Sequence, residues 1–281
     1  MPFFRAGFVV LAAALSFGCS PAPLLNLFIS RDGYRVEENL AYGSEARQKL
    51  DIYTPEHSAG KAPVILFFYG GSWQNGRKED YLAFGATFAS KNIVVAIADY
   101  RLYPQVRYPD FLNDCAAAFA YVHAHAADYG GDPGRIFIAG HSAGAYNAVM
   151  LAADPHYLEE AGAQLSWVRG VIGIAGPYDF LPLTDPALIK LFGGKDRSDT
   201  QPINYIDGKR PPMLLVAGSA DETVSPGNVY RMAAKLRSFG SPVEEKIYPG
   251  AGHVGILLSL APVFRGNTTL RKDIIRFVET H

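Results

Sequence analysis

The chain reads as an α/β domain, a mostly parallel eight-stranded sheet with helices on both faces, and three observations predict it. Strand-like apolar runs alternate with helical stretches along most of the length. Residues 63–69 and 135–139 are almost unbroken β-branched and aromatic runs, as a parallel strand buried on both faces requires. Gly140-His141-Ser142-Ala143-Gly144 then joins the second run directly to an Ala-, Met- and Leu-rich stretch, 143–153, that suits a helix.

The elements follow in order. Strands 36–42 and 50–53, joined by a short polar link, form an antiparallel edge. The core strand 64–69 leads to a helix around 80–90, a strand at 93–98 and a helix around 110–128. After the Ser142 turn come a strand at 168–174 and a long segment carrying Pro177, Pro182, Pro186 and Pro202. That segment must supply a crossover helix, 186–192, which leaves little for a large cap. Strand 213–217, helix 227–238, strand 243–248 and a last helix 268–278 complete the chain.

With 281 residues, 49% hydrophobic and 19% charged, this is one domain with room for a full core. A net charge of −1 and the lack of a basic cluster argue against a nucleic-acid partner. No Cys cluster or H-x-x-x-H pairing supports a metal, and no cofactor is expected. The N-terminus separates from the fold. Arg5 precedes an apolar stretch, 6–18, shorter than the roughly 20 residues that a bilayer crossing needs, and this matches a signal-peptide core. Ser16 and Gly18 stand at −3 and −1 of a cut before Cys19. The expected organisation is a signal peptide at 1–18, a tether at 19–35 and the folded domain at 36–281. Cys115, in an Ala-rich helix, is expected to be a buried thiol.

Ser142 is the candidate nucleophile. A serine on a tight strand-to-helix turn stands clear of the sheet, and the helix N-terminus behind it favours the negative charge of an acyl-transfer transition state. A serine hydroxyl also needs a base, and the base an anchoring acid. Of seven histidines, His253 sits in the glycine-rich stretch 249–255 after a strand, an exposed bend from which a ring could reach over the sheet edge. His123 and His125 are helix residues, His57 and His281 lie in polar or terminal sequence, His156 follows Asp154-Pro155 in a turn, and His141 is expected to point away at the sharp turn and to be structural. For the acid, Asp221 follows strand 213–217 and Asp179 follows strand 168–174. Asp221 is chosen because Ser142, Asp221 and His253 then top successive strands in the Ser…Asp…His order. An isolated Asp after a strand is usually only a turn residue, so the order carries the assignment. Gly70-Gly71-Ser72-Trp73 ends the core strand, and small residues there let N–H groups of Gly71 and Ser72, with Ala143, converge on an oxyanion.

The chain resembles the α/β-hydrolase superfamily, in particular the bacterial carboxylesterase and arylformamidase group related to hormone-sensitive-lipase-type esterases. The similar stretches are 48–53, Tyr69-Gly70-Gly71-Ser72-Trp73, 99–104, 140–145, 218–224 and the His253 loop, so the resemblance runs from Val36 to the C-terminus. The chain departs from it at Tyr69, where His is frequent, and at Ser72, where a third Gly is frequent. The resemblance implies an α/β-hydrolase fold with a small cap or none. It also implies a serine carboxylesterase that cleaves short acyl or aryl esters through an acyl-enzyme. An open pocket bounded by Trp73, Tyr178 and Phe180 would suit small acyl groups. An arylformamidase or another amide hydrolase or peptidase is the alternative. A non-catalytic binding module is disfavoured by the complete triad. A Cys directly after the apolar core resembles exported lipoprotein hydrolases, which implies acylation of Cys19 and a membrane anchor in the cell envelope. An ordinary signal peptide with a soluble periplasmic product is the other outcome.

Overall fold

The computed structural model describes residues 29–57, 61–260 and 269–281. The signal peptide assigned to 1–18, Cys19 and most of the tether lie outside the described residues.

All of Ala62–Phe68 is buried, and this strand sits in the middle of an eight-stranded sheet. In chain order the elements are β1 (Tyr34–Ala41), β2 (Lys49–Pro55), β3 (Ala62–Phe68), α1 (Leu82–Ala89), β4 (Val94–Ala98), α2 (Asp110–His125), β5 (Gly131–His141) and α3 (Ala143–Ala153). They continue with α4 (His156–Glu160), β6 (Val168–Ile174), α5 (Pro186–Phe192), β7 (Met213–Gly218), α6 (Gly227–Ser238), β8 (Val243–Tyr248), α7 (His253–Leu258) and α8 (Thr269–Thr280). The spatial order is β1-β2-β4-β3-β5-β6-β7-β8. Strands β3 to β8 run parallel, while β2 is antiparallel to both β1 and β4. The expected antiparallel edge is therefore present, with β1 as its outer strand.

The chain leaves β3 in one direction to reach β4 and then crosses back past β3 in the other to reach β5. Right-handed crossovers then place α1 on the opposite face from α2, α3 and α6. The reversal opens a crevice beyond the C-terminal ends of β3 and β5, where ligands of such sheets bind. Register brings Phe68 level with Gly140 and His141 level with Ile174, so the loops leaving β3, β5 and β6 meet there.

Helix α3 is buried on every side, as its Ala- and Met-rich sequence allows. Helix α5 lies where expected. Asp185 caps it by accepting from Ala187 N and Leu188 N at 2.6 and 3.2 Å, Pro186 opens it and Gly193 closes it in the left-handed region. Several boundaries differ. A 3-10 turn, Lys78–Tyr81, precedes α1, and another, Ala126–Tyr129, follows α2. Strand β5 begins at Gly131, ahead of the expected start at 135, and Gly131 pairs with Ala62 across an irregularity. Tyr34 and Ile29 are buried in the core, so the last part of the stretch assigned to the tether packs on the domain. Cys115 is a buried free thiol. No helix among the described residues is long and apolar enough to cross a membrane.

Candidate active site

Ser142 stands between β5 and α3 with φ 54° and ψ −121°, a conformation costly for any residue with a side chain and found where surrounding structure enforces it. Its N–H donates to Ile174 O at 2.9 Å. The flanking glycines are required by contact: a Cβ on Gly140 would lie 2.1 Å from Gly144 O, and one on Gly144 would lie 2.0 Å from Phe68 O. Any larger residue would push the turn off β3.

Asp221 follows β7 in a tight turn. Its Oδ1 accepts from Thr223 N and Val224 N at 3.0 and 2.8 Å, which aims Oδ2 at His253 Nδ1, 2.8 Å away. On the other side of the ring, His253 Nε2 lies 2.9 Å from Ser142 Oγ. An ionised carboxylate can only accept, so Nδ1 carries the proton and the Nε2 lone pair faces the serine hydroxyl. The Asp221 side chain is fully buried and that of His253 is 12% exposed, which shields both bonds from water. The structure thus brings Ser142, Asp221 and His253 together.

Asp179, the rival acid, is elsewhere: its carboxylate pairs with Arg231 Nε at 2.5 Å on the cleft rim. Two expectations need correction. His253 is not in an exposed loop; it opens α7 and is largely covered, because that short helix turns it inward. His141 does not point away, and its Nε2 lies 3.0 Å from His253 O. Burial, and then the neighbouring His253, push the His141 imidazole down to about 4, so it is neutral at pH 7.

The turn after β3 places Gly71, Ser72 and Trp73 consecutively at positive φ, 129°, 53° and 57°. Gln74 N and Asn75 N both donate to Gly71 O at 3.0 Å and close this turn. Among the described residues no acceptor pairs with the N–H groups of Gly71, Ser72 or Ala143, and Ser72 and Ala143 line the cleft beside Ser142. Trp73 is pinned by a 2.9 Å bond from Nε1 to Asn147 Oδ1 and meets Tyr146 and Phe192 edge-on. Behind the turn, the Tyr69 hydroxyl donates to Asp99 Oδ1 at 2.6 Å and accepts from Arg47, while the Tyr100 hydroxyl donates to Tyr69 O at 2.8 Å. This anchoring occupies the position where the resemblance favours His.

A cleft of about 420 Å³ opens on Ser142. Trp73, Phe180, Leu181 and Leu188 form its apolar wall, and Asn228 and Arg231 lie on its polar side. Trp73 and Phe180 are where sequence reasoning put them. Tyr178 is not: its side chain is buried, with the hydroxyl under Gly173, where a Cβ would approach within 2.1 Å. The reason is local, since Asn228 Oδ1 accepts from both Tyr178 N and Asp179 N and fixes a turn that sends Tyr178 inward. Leu188, Asn228, Arg231 and Asn147 were missed. Only Asn147 had a visible signal, as the one amide in an otherwise apolar Ser142 helix.

The family model BD-FAE matches residues 50–236, which contain Ser142 and Asp221. A probable isoprenylcysteine alpha-carbonyl methylesterase of Arabidopsis thaliana is 26% identical over 99% of this chain and 64% of its own length. Esterase LipC of Mycobacterium tuberculosis is 30% identical over 78% of this chain and 60% of its own. The chain therefore spans less than two thirds of these curated relatives. Among solved structures, the propionate-bound esterase 2 of Thermogutta terrifontis is 26% identical, with a TM-score of 0.65 over 79% of this chain and 85% of that one. Sheet order, the nucleophile turn and these matches agree that the chain has the α/β-hydrolase fold and belongs to the BD-FAE family.

Proposed function

We propose that this protein is a carboxylic ester hydrolase that forms an acyl-enzyme on Ser142. The observation that carries the reading is the continuous relay in which His253 bridges Ser142 Oγ at 2.9 Å and Asp221 Oδ2 at 2.8 Å. His253 Nε2 takes the hydroxyl proton as Oγ attacks the ester carbonyl, and Asp221 stabilises the imidazolium that results. The N–H groups of Gly71, Ser72 and Ala143 receive the oxyanion. Collapse expels the alcohol, which takes the proton from His253, and a water activated by the same ring then releases the acid. The esterase names of the relatives support the reaction class. A cleft of about 420 Å³ with an apolar wall suits short acyl or aryl esters, and a related esterase binds propionate.

The test is a fluorophosphonate label together with p-nitrophenyl acetate, butyrate, decanoate and N-formylkynurenine assayed side by side. Label on the Ser142 peptide and preference for the short esters are expected. Label on another serine, or full activity in Ser142→Ala, overturns the mechanism, and a preference for N-formylkynurenine moves the enzyme to the amide-cleaving alternative. For location, the proposal is export with acylation of Cys19. Palmitate incorporation into the full chain, absent in Cys19→Ala, is the expected result. A cleaved, lipid-free periplasmic product removes the anchor, and an uncleaved cytosolic chain removes export as well.

A further inference from the structure

His141 immediately precedes Ser142, at the end of β5, and it is 5% exposed. Its Nε2 meets the main-chain carbonyl of His253 at 3.0 Å, and the two rings lie 4.9 Å apart. Because a carbonyl only accepts, Nε2 carries the proton and Nδ1 is the lone-pair nitrogen. Nδ1 is buried without a hydrogen-bond partner and faces the backbone of Gly70, where a Cβ would come within 3.1 Å of it. The ring therefore fills the space between the turn that carries Gly71 and Ser72 and the helix that carries His253. A polar ring buried there with one nitrogen unpaired costs stability that an apolar side chain would not. The Nε2 bond is what the site gains in return.

We infer that His141 is a positioning residue: its Nε2–H holds the His253 main chain and so sets the height of the His253 imidazole over Ser142. The inference rests on the proposed role of His253 as the base. Both of these ring bonds, to Asp221 and to Ser142, act on the imidazole and not on the His253 main chain. The bond from His141 to His253 O adds a restraint on the main chain that carries the ring. A displacement of about 1 Å at such a site can lower turnover by about a hundredfold. The ring must also stay neutral, because a second positive charge this close would oppose the imidazolium that forms on His253.

The test compares His141→Leu, His141→Asn and His141→Gln in the full chain, with p-nitrophenyl butyrate and with NMR spectra of the His253 ring. Gln carries an N–H donor about as far from the backbone as Nε2, Asn falls short, and Leu has none. Loss of kcat by about 10- to 100-fold in the Leu and Asn variants, with KM nearly unchanged and kcat largely recovered in Gln, is expected. The His253 ring signals should shift in Leu and Asn and return in Gln. If Leu does not fold, Asn is read in its place. The inference fails if folded Leu and Asn variants keep kcat near wild type, if only KM changes, or if Gln is no better than Leu. Ser142→Ala in the same assay separates the two readings: undiminished hydrolysis there defeats the proposed mechanism, while the NMR comparison still decides the role of His141.

Discussion

The two sides of the Ser142 cleft are held in different ways. On the oxyanion side, the turn after β3 is set into the core: Tyr69, Trp73 and Tyr100 are buried, Asp99 and Arg47 bond the Tyr69 hydroxyl, Asn147 bonds the Trp73 ring and the Tyr100 hydroxyl bonds Tyr69 O. On the base side, β8 is only partly buried over most of its length, Val254 beside His253 is 49% exposed, and the ring is placed by a few polar bonds. One side is positioned by core packing together with hydrogen bonds, the other chiefly by hydrogen bonds. Single changes should therefore affect stability more on the first side and turnover more on the second.

The largest effect belongs to the residue shared by both. Ser142→Ala should lower kcat by about a millionfold and leave thermal unfolding almost unchanged, as p-nitrophenyl butyrate hydrolysis and calorimetry would show. On the base side, Asp221→Asn should lower kcat by about ten-thousandfold, the magnitude known for the corresponding change in a serine protease. A loss under tenfold in a folded Asp221→Asn would mean that the hydrogen bond to His253 is not what orients it.

Acid should weaken the base side through His141. Its folded value is about 4, against about 6.5 in an unfolded chain. As pH falls from about 6.5 to about 4, the unfolded state takes up a proton that the native state does not, so stability drops. The loss amounts to about 3 kcal/mol at most, an order-of-magnitude figure. Urea unfolding at several pH values, compared with His141→Gln, would isolate this contribution, and identical pH dependence in both proteins would rule it out.

On the oxyanion side, Asn147→Ala leaves the buried Trp73 N–H without an acceptor. It should cost about 1–3 kcal/mol in urea unfolding while changing kcat less than Asp221→Asn does. A kcat loss as large as that of Asp221→Asn would erase the contrast between the two sides. The smallest effect is expected at the rim. The Asp179–Arg231 pair is 37% and 49% exposed, and Asp179→Asn should change stability by about 0–1 kcal/mol, with kcat close to wild type.

The sequence reading was strongest where chemistry depends on local order. Chain alternation revealed the sheet, and the Gly-His-Ser-Ala-Gly stretch revealed the turn, because only small residues permit the approach to β3 that the structure contains. Asp221 was preferred to Asp179 by chain order, and it is Asp221 that meets His253. Tyr178 departs from the sequence expectation because Pro177 and Phe180 nearby in sequence line the cleft while its own ring turns inward. The direction of His141 is not legible in sequence, because its partner is far along the chain, a main-chain carbonyl with no signature in the residue type.

By itself the sequence determined the α/β alternation, the position of the nucleophile turn and the order of the three polar residues. These follow from the period of burial and from glycines needed at fixed places in the chain. Tertiary structure alone decided which side chains face the cleft, how Asn147 grips Trp73 and where His141 points. Those contacts join residues distant in sequence, and their geometry is set by how β3, β5 and the His253 helix pack together rather than by any local preference.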